Sequence, residues 1–119
     1  KNNYNFHLIN PKYYQTINNQ IKCRANTGFI AIFDLLLHDI KELYITGYTF
    51  YLDGFIKGYK DHLREDFIWR AFNSRRHKQK FQWEFLKKMY KIDSRIKVDD
   101  KLNKILNMKK LIKDGVEAK

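Results

Sequence analysis

The sequence has one cysteine, one proline and little acid to balance its base. The one thiol, Cys23, cannot close an internal disulfide, and no Cys/His cluster has the spacing of a structural zinc site. A fold that does without a disulfide points to the cytoplasm or another reducing compartment. A single proline argues against a long disordered linker. No apolar run reaches the roughly 20 residues that a membrane-spanning helix needs. A signal peptide is not expected either, because Lys1-Asn2-Asn3 opens directly into strand-like sequence.

What is present is 119 residues, one domain or a piece of one. Residue 1 is lysine, so the expectation includes the C-terminal half of a larger catalytic domain. Lys+Arg 24 against Asp+Glu 13 leaves a net charge of +11. That surplus favours an anionic partner: a polyanion such as nucleic acid, a nucleotide phosphate, an acidic sugar or an anionic membrane face. The eight Tyr, nine Phe and two Trp serve core packing and ring stacking equally well, so they do not choose among these.

Tyr4 to Ile9 alternates like a short strand. Asn10 can cap a following helix and Pro11 suits its first turn, which predicts a helix over 11–21. Asn26 or Thr27 starts a second helix, with Phe29, Ile32, Phe33, Leu36 and Leu37 as its apolar stripe. Leu43 to Tyr48 is rich in β-branched and aromatic residues and predicts a strand, with Gly47 near its end. Residues 49–76 form a long excursion holding Asp53, Gly54, Gly58, Asp61 and His62, with one helical turn near Leu63 to Trp69. A helix of about four turns follows from His77, through Phe81, Phe85, Leu86, Met89 and Tyr90. Arg95 to Val98 is a short strand, Asp99-Asp100 are a helix cap, and Leu102, Ile105 and Leu106 mark the last helix. Residues 109–119 form a polar tail expected to fray. This order predicts an α/β, Rossmann-like layered fold with a mostly parallel sheet over residues 1–108, its ligand beyond the strand ends.

The chemistry centres on Asn26-Thr27-Gly28. A helix start offers unsatisfied N–H groups and a favourable dipole, so a phosphate fits there without a glycine-rich loop. The same tripeptide is also an ordinary helix cap. Arg24, Arg75 and Arg76 are candidate phosphate contacts, although Arg75 to Lys78 also reads as a solvated basic run. His38-Asp39 reads as a helix C-terminus, Trp83 as core, Trp69 as a stacking or packing ring, and the lysine pairs 87-88 and 109-110 as solvent surface.

The order strand, Asn-Pro, helix, basic residue, Asn26-Thr27-Gly28, apolar helix and Glu42-Leu43-Tyr44-Ile45-Thr46-Gly47-Tyr48 resembles the small sialylmotif region of sialyltransferases. There a Pro-Ser-Thr-Gly turn opens an apolar helix that leads to an acidic residue and a strand ending like Tyr-Gly-Phe. Arg24-Ala25 stands where that family has its proline. The resemblance implies that Asn26, Thr27, Gly28, Gly47 and Tyr48 meet a CMP-type nucleotide-sugar donor. It also implies that His77 is the base or phosphate partner, with Glu84 as the downstream acid, at His-x₆-Glu spacing where the family has His-x₄-Glu. The family's large N-terminal motif and its aromatic motif before the histidine are not recognisable. The reaction implied is transfer to a glycan acceptor hydroxyl with inversion. Histidine suits the removal of the hydroxyl proton, and with no metal or other cofactor implied, cations and N–H groups receive the departing phosphate. Two rivals stand beside it: a non-catalytic basic module on a transferase-like fold, and a different α/β transferase using the same helix end.

Overall fold

A computed structural model describes the backbone of residues 8–52 and 65–119, with side chains for 8–52 and 69–119. Helix α1 runs Pro11–Ile21. Its start follows the expected chemistry: Asn10 Oδ1 accepts the Lys12 N–H at 2.9 Å and proline takes a position whose missing N–H costs nothing. Helix α2 runs Thr27–Leu36 and strand β1 Leu43–Ile45. Helix α3, Glu65–Phe72, lies inside the stretch expected as an excursion, which among the described residues therefore holds eight helical ones where one turn is expected. Helix α4 follows at Gln79–Ile92, β2 at Ile96–Val98 and α5 at Asp100–Leu106.

Strands β1 and β2 pair in parallel, Leu43 opposite Ile96 and Ile45 opposite Val98. A parallel pair cannot be closed by a hairpin, and here α3 and α4 lie in the crossover. The ladder is bracketed by Leu43 N–H on the Arg95 carbonyl (2.8 Å) and Asp99 N–H on the Ile45 carbonyl (3.2 Å). Arg95 fastens the far end of α2 to this sheet. Its guanidinium donates to the Leu36 and His38 carbonyls at 2.9 and 3.1 Å, and its Nη2 stands 2.8 Å from the Asp93 carboxylate. That partner holds the Asp93 carboxyl below the usual range.

Phe29, Phe33 and Phe85 form the aromatic centre of the core, with ring centroids 4.8 and 5.0 Å apart for the two closer pairs. Leu86, Leu102 and Ile96 fill around it, and the buried Trp83 satisfies its indole N–H on the Ile105 carbonyl at 2.8 Å. The core role expected of Trp83 is the one observed. Trp69 is half-buried, its ring 5.7 Å from that of Phe72.

Two expectations change. The strand over 43–48 stops at Ile45, because Gly47 sits at φ +74 and turns the chain away from the ladder. Residues 109–119, expected as a polar tail, hold regular structure. Strands β3 (Ile112–Lys113) and β4 (Val116–Glu117) form an antiparallel hairpin around Asp114-Gly115, both at positive φ, which suits a two-residue hairpin turn. Leu111 and Ala118 are buried beneath it. Of the strand expected over 4–9, residues 4–7 lie outside the described residues, and Leu8 and Ile9 are in no element. Asp53, Gly54, Gly58, Asp61 and His62 also lie outside them.

Candidate functional site

The site forms where three segments distant in sequence meet: the turn into α2, the chain leaving β1, and the entry to α4. Arg24 begins the contact. Its N–H donates to the Arg76 carbonyl at 2.8 Å, and its own carbonyl lies 2.8 Å from His77 Nδ1. A carbonyl oxygen can only accept, so Nδ1 carries the hydrogen, and in the neutral ring the lone pair is on Nε2. His77 Nε2 has no hydrogen-bond partner among the described residues.

Asn26 is the hub. Its backbone N–H donates to Gln82 Oε1 at 2.9 Å, and its Oδ1 accepts from Gln82 Nε2 at 2.8 Å and Gln79 Nε2 at 3.0 Å. With two donors on Oδ1, the side chain does not turn back onto its own helix, and α2 has no side-chain cap. Thr27 and Gly28, the first two helical residues, are exposed. Thr27 and Gly28 thus lie exposed at a first turn without a side-chain cap, the favourable end of the helix dipole for an anion. The side chains of Arg24, Arg75 and Arg76 are exposed as well.

The chain leaving β1 packs against this turn. A Cβ added at Gly28 would lie 3.4 Å from Cε2 of Tyr48. The Tyr48 ring stands edge-on to Phe50, centroids 4.8 Å apart. Burial, and secondarily the neighbouring Tyr51, raise the Tyr48 phenol above its ordinary pKa, so it remains a neutral hydroxyl. Phe50 and Tyr51 both have left-handed backbones, φ 53 and 65, which cost on the order of 1–3 kcal/mol each for residues of this kind. The loop is held in that state from two sides. Asn26 Nδ2 donates to the Tyr51 hydroxyl at 3.4 Å, and Lys113 of the C-terminal hairpin donates to the Leu52 carbonyl at 2.7 Å. Gly47 is fixed separately, its N–H on Asp99 Oδ2 at 3.0 Å.

Among the residues singled out from sequence, the structure thus gathers Arg24, Asn26, Gly28, Tyr48, Arg76 and His77, with Thr27, Gly47 and Arg75 next to them in the chain. It does not gather Glu84. That side chain is exposed and lines an open groove of about 280 Å³ with Gln20, Ile21, Lys22, Phe81, Phe85 and Lys88. It lies roughly 200° around α4 from Gln82. The residue at His-x₄ spacing from His77 is Gln82, and it is Gln82 that reaches the turn. Sequence reasoning missed Gln79 and Gln82, yet a signal was there. Positions 79, 82, 83 and 86 follow the i, i+3, i+4, i+7 rule of a buried helix face, and two glutamines occupy it beside Trp83 and Leu86. Polar side chains on a core stripe need partners, and these find them on Asn26.

Among the described residues, no group of three or more His, Cys, Asp or Glu side chains is placed to hold a metal ion, and no helix is long and apolar enough to cross a membrane. The half-buried Cys23 thiol is pushed up by burial, partly offset by the Lys78 backbone and the Lys78 charge; its S–H donates to the Lys78 carbonyl at 3.8 Å. Compared with known proteins, the chain matches no family model, and neither a curated protein nor a solved structure is found similar to it.

Proposed function

We propose that the chain is a glycosyltransferase of the sialyltransferase type, or the C-terminal half of its catalytic domain. It would take a sugar from a CMP-type donor and pass it to an acceptor hydroxyl with inversion. One observation carries this reading: the residues that the resemblance assigns to the donor, Asn26-Thr27-Gly28 and Gly47-Tyr48, and to the base, His77, lie on segments that touch, Tyr48 against Gly28 and His77 Nδ1 on the Arg24 carbonyl 53 positions away. The parallel pair β1–β2 with its helical crossover supports the finer reading of a Rossmann-like layered sheet, with the ligand beyond the carboxyl end of β1.

In this mechanism the nucleotide phosphate lies at the open first turn of α2, on the Thr27 and Gly28 N–H groups, near the Arg24, Arg75 and Arg76 charges. His77, with Nδ1–H directed to the Arg24 carbonyl, presents the Nε2 lone pair to the acceptor hydroxyl. As Nε2 takes the proton, the oxygen bonds to the anomeric carbon on the face opposite the phosphate. The bond from that carbon to the phosphate oxygen breaks, and the nucleotide leaves with the electron pair. Charge developing on that oxygen meets donors already in place.

The test is a nucleotide titration at two salt concentrations, paired with transfer by His77→Ala. CMP should bind more tightly than AMP, GMP or UMP at both salt levels, and the variant should lose about 10²–10⁴-fold in rate. Equal affinity for all nucleotides that collapses as salt is raised would identify a basic binding module, the use its net charge of +11 also suits. Undiminished transfer by His77→Ala would remove His77 from the chemistry.

A further inference from the structure

Gln82 and Gln79 are the two fully buried neutral polar side chains among the described residues, 0% and 1% exposed. Neither contributes to the core in the usual apolar sense, and both spend their amides on the same neighbour. Gln82 forms a two-point pair with Asn26, accepting its N–H at 2.9 Å and donating to its Oδ1 at 2.8 Å. Gln79 spans two segments, its Nε2 donating to Asn26 Oδ1 at 3.0 Å and to the His77 carbonyl at 2.8 Å. Breaking such bonds inside a buried site leaves orphaned donors and acceptors, so the arrangement is held firmly.

The consequence falls on His77. Arg24 lies two residues before Asn26, and Ala25 between them is buried with its N–H on Asn18 Oδ1 at 2.8 Å. Fixing Asn26 at two points therefore fixes where the Arg24 carbonyl points, and that carbonyl is what receives His77 Nδ1–H at 2.8 Å. Gln79 fixes the other partner by holding the His77 backbone. We propose that Gln82 and Gln79 are positioning residues that keep the His77 imidazole in its Nδ1–H tautomer, with Nε2 free to take a proton. Neither glutamine touches the reacting atoms; each acts through Asn26 and the Arg24 carbonyl. This rests on the functional reading above only where turnover is concerned, because the tautomer is a property of the unliganded chain.

The experiment is ¹⁵N NMR of the His77 ring under mildly alkaline conditions, on the full chain and on Gln82→Met, which preserves length while removing both hydrogen-bonding atoms. The wild-type ring should show one protonated Nδ1 and one unprotonated Nε2. In Gln82→Met the two nitrogens should move toward averaged shifts as the tautomers mix, and kcat should fall about tenfold with little change in the donor KM, the scale of one misdirected buried hydrogen bond. If Gln82→Met does not fold, Gln79→Met gives the same readout, since it removes the link to the His77 carbonyl and leaves the Asn26 N–H satisfied. A folded variant that keeps the wild-type ¹⁵N pattern overturns the proposal. A wild-type chain with the Nδ1–H pattern but no sugar transfer overturns the functional reading instead, while the tautomer comparison still decides the positioning role.

Discussion

Helices α2 and α5 begin alike and end up chemically opposite at their first turns. Each opens on an extended Asx residue, Asn26 or Asp99. Each has a fully buried apolar side chain at the third helical position, Phe29 or Leu102. In α5 the cap closes: Asp99 Oδ1 accepts the Leu102 N–H at 2.8 Å, while Oδ2 takes the Gly47 N–H. In α2 the equivalent oxygen is drawn away by Gln79 and Gln82, and the first turn stays open. Capping by an Asx residue is the local default, typically worth about 1 kcal/mol. A helix that forgoes it because distant side chains redirect the cap has given up local stability for an accessible set of donors, the kind of departure expected at functional positions.

If the two helices differ only in their caps, removing their anchors should hurt both alike. Phe29→Ala should cost about 3–5 kcal/mol and Leu102→Ala about 2–5 kcal/mol in urea unfolding, since both side chains are fully enclosed. A loss under about 1 kcal/mol in Phe29→Ala would break the comparison, because α2 would then be loosely seated and its open turn a mere consequence of poor packing.

A smaller effect separates the caps themselves by pH. The Asp99 carboxyl is held below its ordinary pKa, chiefly by the Leu102 N–H, then by the Gly47 N–H. A carboxyl whose folded pKa is depressed contributes stability that is present above the unfolded value, near 3.9, and lost as pH falls through the folded value. Wild-type stability should therefore decline in acid below about pH 4. Asp99→Asn, which retains a capping oxygen, should decline less steeply across the same window. Asn26 carries no charge, so Asn26→Ala should leave the acid slope of the wild type in place. Parallel acid slopes for wild type and Asp99→Asn would show that the α5 cap is not an ionic one.

The same contrast explains what could be read from sequence. The α1 start was legible because Asn10 and Pro11 act within their own turn, and the same holds for Asp99 on α5. The bounds of α1 and the start of α2 follow from local capping and apolar spacing, whereas α2 ends at Leu36, short of the end expected at His38-Asp39. What escaped was non-local or misweighted. Nothing near Asn26 says that residues 79 and 82 will occupy its oxygen, and the choice of Glu84 as the partner of His77 favoured charge over position on the helix. The C-terminal hairpin was missed because polarity outweighed the Asp114-Gly115 turn, although Leu111 was there to anchor it. The two-strand parallel sheet supports a mixed helix and strand fold, and the wider Rossmann-like sheet is part of the proposal.

The finest test of the open turn lies at Gly28. A glycine within a helix is usually a weakness of roughly 0.5–1 kcal/mol relative to alanine. Gly28 shows no left-handed backbone to justify it, and an added Cβ would meet only the Tyr48 ring, Cε2 at 3.4 Å and Cδ2 at 3.9 Å. Folding alone thus gives no reason for glycine here, and Gly28→Ala should raise stability by up to about 1 kcal/mol in urea unfolding. A ligand gives a reason if the proposed phosphate lies on the first-turn N–H groups, since a methyl at the exposed second residue of α2 would then add bulk beside it. The same variant should therefore be more stable and bind CMP more weakly. A variant that gains stability and keeps its affinity would show that the turn is open without being occupied, and the contrast with α5 would then concern folding alone.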